Sequence, residues 1–450
     1  MSGEDTARYN FLTQFDRAVG TLPGQGWLST LRRDALERFR EQGLPTQKDE
    51  DWKYTSVRPI TEGQFALGTT HPAPAVSREV MEQSRVPGLD AARLVFVNGR
   101  YQSELSDLDG LPDGVSLRSL AEVMENDSEA LATRLSRQSG LDYTPFTALN
   151  NAFVADGAVL EIAANVQCKT PIELLFLSVP GDEAFVFHPR ILIQMAQGSE
   201  ATVLEHHVGL DGAANFNNVV SEVALSAQAR LDHYLLQRES SAGFHIGGIH
   251  VHQARDSRYV SHNVNLGGAL VRHDINARLA EQGAEAILNG LYLVSDRQHV
   301  DNHTCVDHAA PHTNSDETYK GVLDGRGRAV FNGRVVVHKH AQKIDAGQKN
   351  DNLLLSKLAE VDTKPELEIY ADDVACSHGA TIGQLDEHAL FYLRSRGIDA
   401  DKARDLLTYA FAESVVERMD IAEIRDWLSG LIVNRVSGEG RLADLEALEE

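Results

Sequence analysis

Between residues 158 and 386 the chain is a long succession of short apolar runs, and this region constrains the fold more than any other. AVLEIA, IELLFLSV, RILIQMA, ATVLEHHV, VVSEVAL and RYVSHNVNL are rich in β-branched and aromatic residues and are separated by Gly, Ser, Asp and Asn, the pattern of many short strands. Helical periodicity is almost absent here. A faint repeat runs through the region: EATVLE at Glu200, ARLDHY at Ala229, RYVSHN at Arg258 and EAILNG at Glu285 follow one another at 27 to 29 residues, with RAVFNG at Arg328 similar at a wider interval. Units of that length are too small to bury an apolar face alone, so they must stack. A β-solenoid satisfies this requirement. A β-sandwich or double-stranded barrel is the competing arrangement, and periodicity alone favours the solenoid only slightly.

Helical patterns flank the strand-rich region. Leu28, Leu31, Ala35, Leu36 and Phe39 recur at helical spacing until Gly43 and Pro45 end the run. The Asn98-Gly99 dipeptide inside LVFVNGRYQ predicts a two-residue hairpin turn near residues 93–102. Further helices are expected at about 116–137 and 145–155. After residue 386, Ala403, Leu406, Leu407, Ala410, Phe411, Val415 and Val416 form one stripe, with Asp399 or Asp401 as its N-cap, and Ile421, Ile424, Trp427, Leu428 and Leu431 form a second. Such stripes ordinarily pack on each other and on the end of the β-region, although an apolar surface left for a partner is the other reading. The acidic tail RLADLEALEE reads as a solvated helix end. The expected division is therefore 1–157, helical with one hairpin; 158–385, the β-core; and 386–450, helical.

Charge and motifs exclude several functions. A net charge of −24 opposes binding to nucleic acid or to an anionic membrane, both of which need a basic surface. No apolar run is long enough to span a membrane, and the N-terminus lacks a signal-peptide pattern, so a cytoplasmic protein is expected. There is no G-x-x-x-x-G-K-[ST], no G-x-S-x-G and no dinucleotide fingerprint. Any ATP hydrolysis must come from a partner.

Three cysteines, Cys168, Cys305 and Cys376, are too few and too widely spaced for a complete iron-sulfur site or a disulfide framework. Cys376 and His378, in PELEIYADDVACSHGATIGQLD, lie two apart, so on a strand both side chains share a face. Thiolate plus imidazole suits iron, zinc or a sulfur-bearing intermediate, but two ligands make an incomplete site. A buried small thiol beside a hydrogen-bonded histidine is the bland alternative. Histidines also crowd residues 298–340, and these are expected to line strand faces and turns and to hydrogen-bond locally. His250 and His252 with Asp256 raise the alternative of a histidine-rich, cupin-like metal-dependent enzyme, although the expected glutamate and flanking glycine are missing.

Three segments carry a family resemblance. GLPTQKDEDWKYTSVRPI (residues 43–60), HVDNHTCVDHAAPHTNSDETYKGVLDG (299–325) and the stretch from Phe331 through ADDVACSHGAT to FYLRSRGI are similar to the SufB/SufD family of the SUF iron-sulfur cluster assembly machinery, with the first and last closer to SufD than to SufB. The resemblance implies a right-handed parallel β-helix flanked by N- and C-terminal helical domains, and a non-catalytic scaffold rather than an enzyme. It further implies pairing with SufB through β-helix edges, and docking of the SufC ATPase on the C-terminal helices, with Phe391, Leu393, Arg394, Arg396, Leu406, Leu407 and Phe411 as candidate contacts. The cofactor would be iron or an iron-sulfur cluster, transient and shared with SufB. His378 would be a candidate iron ligand facing a SufB cysteine, and Cys376 a thiol in the same shared site. A homodimer of the isolated chain is also open.

Overall fold

A computed structural model of the chain describes residues 3–138 and 144–437. The acidic tail lies outside the described residues. The strand-rich region forms a solenoid of eight coils, each contributing one strand to an 11-stranded sheet and one to a 10-stranded sheet. Within each sheet successive coils pair in parallel and in register. Arg230 lies opposite both Glu200 and Arg258, and Arg258 opposite Glu285, so the faint sequence repeat is the ladder of the 10-stranded sheet. RAVFNG belongs elsewhere: Arg328 pairs with His299 and Glu360 in the other sheet. Its similarity to EAILNG reflects a shared need for small and apolar residues facing the interior.

Corners explain the coil length. Seven of the eight passages from the 11-stranded to the 10-stranded sheet carry one residue with positive φ, Asn165, Gly198, Gln228, Asp256, Gly283, His312 and Lys343, and only the last, at residues 370–373, has none. The backbone N–H at these corners donates to the next coil, for example Gln228 to the Arg255 carbonyl (2.8 Å) and Lys343 to the Asp373 carbonyl (2.7 Å). The corners thus stack as continuously as the strands, leaving few orphaned backbone groups.

Much of the lumen is filled by apolar residues such as Leu160, Ile193, Val223, Leu231, Ile275, Leu288 and Phe331, all almost completely buried. Both outer faces are covered by helices. Helix Trp27–Gln42, ended by Gly43 at φ 69°, and helix Pro145–Phe153 pack Phe39 and Phe153, with Trp52 and Phe65, over the 11-stranded sheet. Helices Ala400–Val416 and Ala422–Ser437 pack Val415, Val416, Ile424 and Leu428 against Leu204, Leu236, Leu291 and Val322 on the outer face of the 10-stranded sheet. These C-terminal stripes therefore cover the side of the solenoid, not its end. Asp399 is the N-cap, accepting from the N–H groups of Asp401 and Lys402.

The N-terminal region also enters the sheets. Strand Ala92–Val97 adds to the first coil in parallel and turns back at Asn98 (φ 49°) and Gly99 (φ 74°) into Arg100–Tyr101, the hairpin expected from Asn-Gly. Residues 115–119, expected to start a helix, are instead a strand antiparallel to Gly157–Ile162, followed by the short helices Leu120–Asn126 and Ser128–Ala132. Pairing with the first coil outweighs local propensity, because an unpaired sheet edge there would leave backbone groups unsatisfied.

The DEDWKYT segment has a structural task. Trp52 lies under the Arg272 guanidinium at 3.9 Å, Arg272 donates to the Asp51 carbonyl (2.5 Å) and to Asp301 (3.0 Å), and Thr55 donates to the same Asp301 carboxylate (2.5 Å). This network staples the segment to the outside of the 11-stranded sheet.

Candidate functional site at the open end of the solenoid

The last coil consists of strands Glu360–Ile369 and Val374–Gly383, each the terminal strand of its sheet. Each pairs on one side only, with Arg328–Val337 and with Ile344–Leu354 respectively. At the first coil the edges are extended by N-terminal strands, whereas among the described residues no strand extends these last edges. Leu358, Tyr370, Ile382, Phe391 and Tyr392 are all more than half exposed, and nearly every large exposed apolar side chain of the described chain lies in or next to this coil.

Cys376 and His378 stand on this terminal strand. They register with Ala346 and Gln348, both buried, so both point to the core side of the sheet, as their spacing predicts. Cys376 is half-buried against the small cluster of Val335, Val337, Ile344 and Ala346, while His378 is exposed at the mouth. Burial, and then the Asp345 carboxylate, push the Cys376 thiol above its ordinary pKa. The isolated chain thus presents a protonated thiol, and a bound cation must displace that proton before sulfur can ligate.

Beneath His378 runs a polar column. Glu317, Gln348 and His378 occupy the same register position in three successive coils, and Gln348 Nε2 donates to Glu317 Oε2 (2.6 Å). Burial pushes the Glu317 carboxyl up to about 7. A folded-state pKa above the ordinary 4.5 means that the folded protein holds a proton the unfolded chain releases, so stability is full below pH 4.5 and falls as pH rises through 7. Glu317→Gln is expected to stabilise the protein by about 2–3 kcal/mol at pH 8 and hardly at all at pH 4.5. Urea midpoints of the two proteins at those pH values check it; an equal gain at both would refute the buried-proton account.

The candidate partner contacts divide. Phe391, Arg394 and Arg396 are exposed on or just after helix Glu387–Ser395, with Leu393 half-buried and Arg396 stacked on Tyr392 (5.0 Å). Leu406 and Leu407 are half-buried on the next helix. Phe411 is engaged internally, its ring under Lys320 Nζ (4.5 Å).

The histidines of residues 298–340 mostly bond locally. His299 meets Thr55 (2.8 Å), His303 pairs with Asp301 (3.0 Å), His308 bonds Thr313 (2.7 Å) and Ser315 (3.0 Å), and His338 pairs with Asp307 (2.7 Å). The cupin-like alternative loses its scaffold, since the architecture is a solenoid. Asp256 occupies a left-handed corner (φ 56°) with an exposed side chain, so it is a turn residue. Sequence reading passed over a denser group: His207, His233, His245 and His273, with Glu205 and Glu239, are buried inside the solenoid, while His206 pairs with Glu173 (3.0 Å) on the outer face of the 10-stranded sheet beside Trp427. Only the Glu205-His206-His207 run is contiguous in the sequence, because His233, Glu239, His245 and His273 lie on later strands and loops.

Comparison with known proteins reaches the same point. Residues 178–411 match the SufBD core domain of the SUF system for FeS cluster assembly, and residues 9–174 match the SufBD protein N-terminal region. The chain belongs to the SufBD family. Among its relatives, the iron-sulfur cluster assembly protein SufD of Escherichia coli is 34% identical over 412 residues, covering 90% of this chain and 92% of that protein. An iron-sulfur cluster assembly SufBD family protein of Synechocystis is 33% identical over 431 residues, covering 92% and 94%. SufD of Bacillus subtilis is 26% identical over 428 residues. The SufBD core match ends inside helix Ala400–Val416, so it takes in the open coil together with Cys376 and His378. No helix among the described residues is long and apolar enough to cross a membrane.

Proposed function

We propose that this SufBD chain is a non-catalytic scaffold subunit of a cytoplasmic iron-sulfur assembly complex, pairing edge to edge with a SufB-type solenoid through its open last coil. The observation that carries this reading is that coil: two free parallel edges, a rim of exposed apolar side chains, and the thiol and imidazole of Cys376 and His378 at the mouth. An uncovered β-edge is a template for strand addition, and a solenoid edge with apolar flanks is satisfied by another solenoid of the same pitch. Iron or the nascent cluster is cargo here, and the ligands this chain lacks come from the partner. A SufC-type ATPase docks on the exposed side of helix Glu387–Ser395, beside that coil, so nucleotide-driven movement there reshapes the shared interface.

Pairing is tested by Tyr370→Glu combined with Ile382→Lys. Both side chains are more than half exposed, so the isolated double variant should melt like the wild type, while its affinity for a SufB-type subunit falls at least about tenfold through desolvated charge. Unchanged affinity in a titration followed by light scattering would place the interface elsewhere.

A further inference from the structure

Far from the open end, the solenoid encloses a second constellation with metal-ligand chemistry. His207, Glu239 and His245 are each almost fully buried, and one ligand atom from each lies within 4.8 Å of those of the other two. Two imidazoles and one carboxylate suit a first-row transition ion better than magnesium or calcium, which prefer oxygen ligands.

The surrounding bonds orient these groups as a metal site requires. His207 Nε2 lies 2.8 Å from Glu205 Oε1, and Glu205 is held in turn by Ser221 Oγ (2.9 Å). A carboxylate on one ring nitrogen sets the tautomer and leaves the lone pair on the other; His207 Nδ1 is buried and has no hydrogen-bond partner. Glu239 Oε1 accepts from Asn217 Nδ2 (2.7 Å), which fixes the carboxylate. His245 Nδ1 stands 3.6 Å from that same oxygen, too long for a hydrogen bond but close to the separation of two atoms bound at about 2.0–2.2 Å to one tetrahedral ion. Neither ring nitrogen of His245 has a hydrogen-bond partner, and the same holds for His273, whose ring centroid lies 4.9 Å from that of His245.

Space and access are also present. Gly247 lies between the two histidines, where a Cβ would come within 2.8 Å of His273 Cδ2 and 3.1 Å of His245 Nε2, so any larger residue would press on the rings. Glu239 and Gly209 line a surface cavity of about 1160 Å³, which gives an ion a route to the carboxylate. Burying three imidazoles with unpartnered ring nitrogens costs free energy, and a bound cation offsets that cost.

We propose that His207, Glu239 and His245 bind one divalent transition-metal ion inside the solenoid, with His273 as the nearest further donor, separately from the Cys376 and His378 mouth. This site goes beyond the scaffold reading and does not depend on it. Because the metal would bridge strands of both sheets, it would act as an internal clasp.

The full chain, stripped with chelator and titrated anaerobically with Co²⁺, should take up one equivalent at this site, with ligand-field bands of nitrogen and oxygen coordination and no thiolate charge transfer. His245→Gln and Glu239→Gln should weaken that binding at least about 100-fold, and Glu205→Gln on the order of 10–100-fold, while Cys376→Ser with His378→Ala leaves it unchanged. Should the ligand variants misfold, wild-type crystals soaked in Zn²⁺ decide the matter by anomalous scattering, with a peak among His207, Glu239 and His245. Absence of that peak in fully soaked crystals, unchanged Co²⁺ affinity in folded His245→Gln, or uptake that disappears only with Cys376→Ser overturns the proposal.

Discussion

Glu222→Ala is expected to destabilise the protein by about 3–5 kcal/mol, the largest loss from any single substitution considered for this fold. Glu222 and Arg190 are fully buried and form an ion pair on the face of the 11-stranded sheet. Arg190 also donates to Asn150 Oδ1 (3.1 Å) and Ser136 Oγ (3.1 Å), and Glu222 accepts from the backbone N–H groups of Ser136 and Gln138 (2.8 Å each). One pair therefore ties strand Phe216–Leu225, helix Pro145–Phe153 and the segment at residues 136–138 together. Burial alone would raise the Glu222 carboxyl, but Arg190 and the two N–H groups outweigh it and hold the carboxyl below its ordinary pKa, so the paired charged form is native near neutral pH. Removing the carboxylate strands a buried guanidinium, whereas replacing both partners by apolar residues, Glu222→Leu with Arg190→Met, should recover much of the loss. Urea unfolding followed by circular dichroism distinguishes the two. A single-variant loss below about 1 kcal/mol would show that water or a rearranged partner compensates the guanidinium.

His378→Ala is expected to slow cluster formation by the reconstituted complex on the order of 10–100-fold, with subunit pairing retained. Exposure of His378 means that little folding energy is lost with it, so structural damage is not an available explanation. Cys376→Ser should have a smaller stability cost than a core substitution, since the thiol is only half-buried, and its effect on assembly should depend on pH. With the folded thiol above its ordinary pKa, proton displacement becomes easier as pH rises, so the wild-type rate should climb with pH and the serine variant should not follow. Rates at pH 7 and pH 9, measured by the visible absorbance of the assembled cluster, check both statements. A wild-type rate in His378→Ala would remove the ligand role and leave the open end as an interface alone.

Much of the architecture was legible because it is written in local patterns. Asn98-Gly99 specified a turn by backbone geometry available to few residues, Gly43 ended a helix, and Asp399 capped one. The coil repeat was only faintly visible, for a physical reason. Its recurring requirement is a left-handed corner, and that corner is filled by Asn, Gly, Gln, Asp, Gly, His and Lys in turn, because stacked backbone hydrogen bonds from neighbouring coils hold the conformation more firmly than residue type does.

The open end and the buried histidines show the same division. Their residue types and the i, i+2 placement of Cys376 and His378 on one strand face belong to the chain itself, since alternation along a strand needs no tertiary information. That this strand is the last of its sheet, with an uncovered edge, follows only from which coils stack on which. His207 and His245 lie on different coils and different sheets, with Glu239 between them in sequence but in neither strand, and only closure of the solenoid around its lumen brings their ligand atoms within 4.8 Å. By itself the sequence determined the strand-rich core, the Asn98-Gly99 turn, the family and the incomplete thiol–imidazole pair. Tertiary structure alone decided the rest, because lateral stacking sets contacts between residues about one coil apart, and a linear pattern carries no record of which side chains then face each other across an enclosed space.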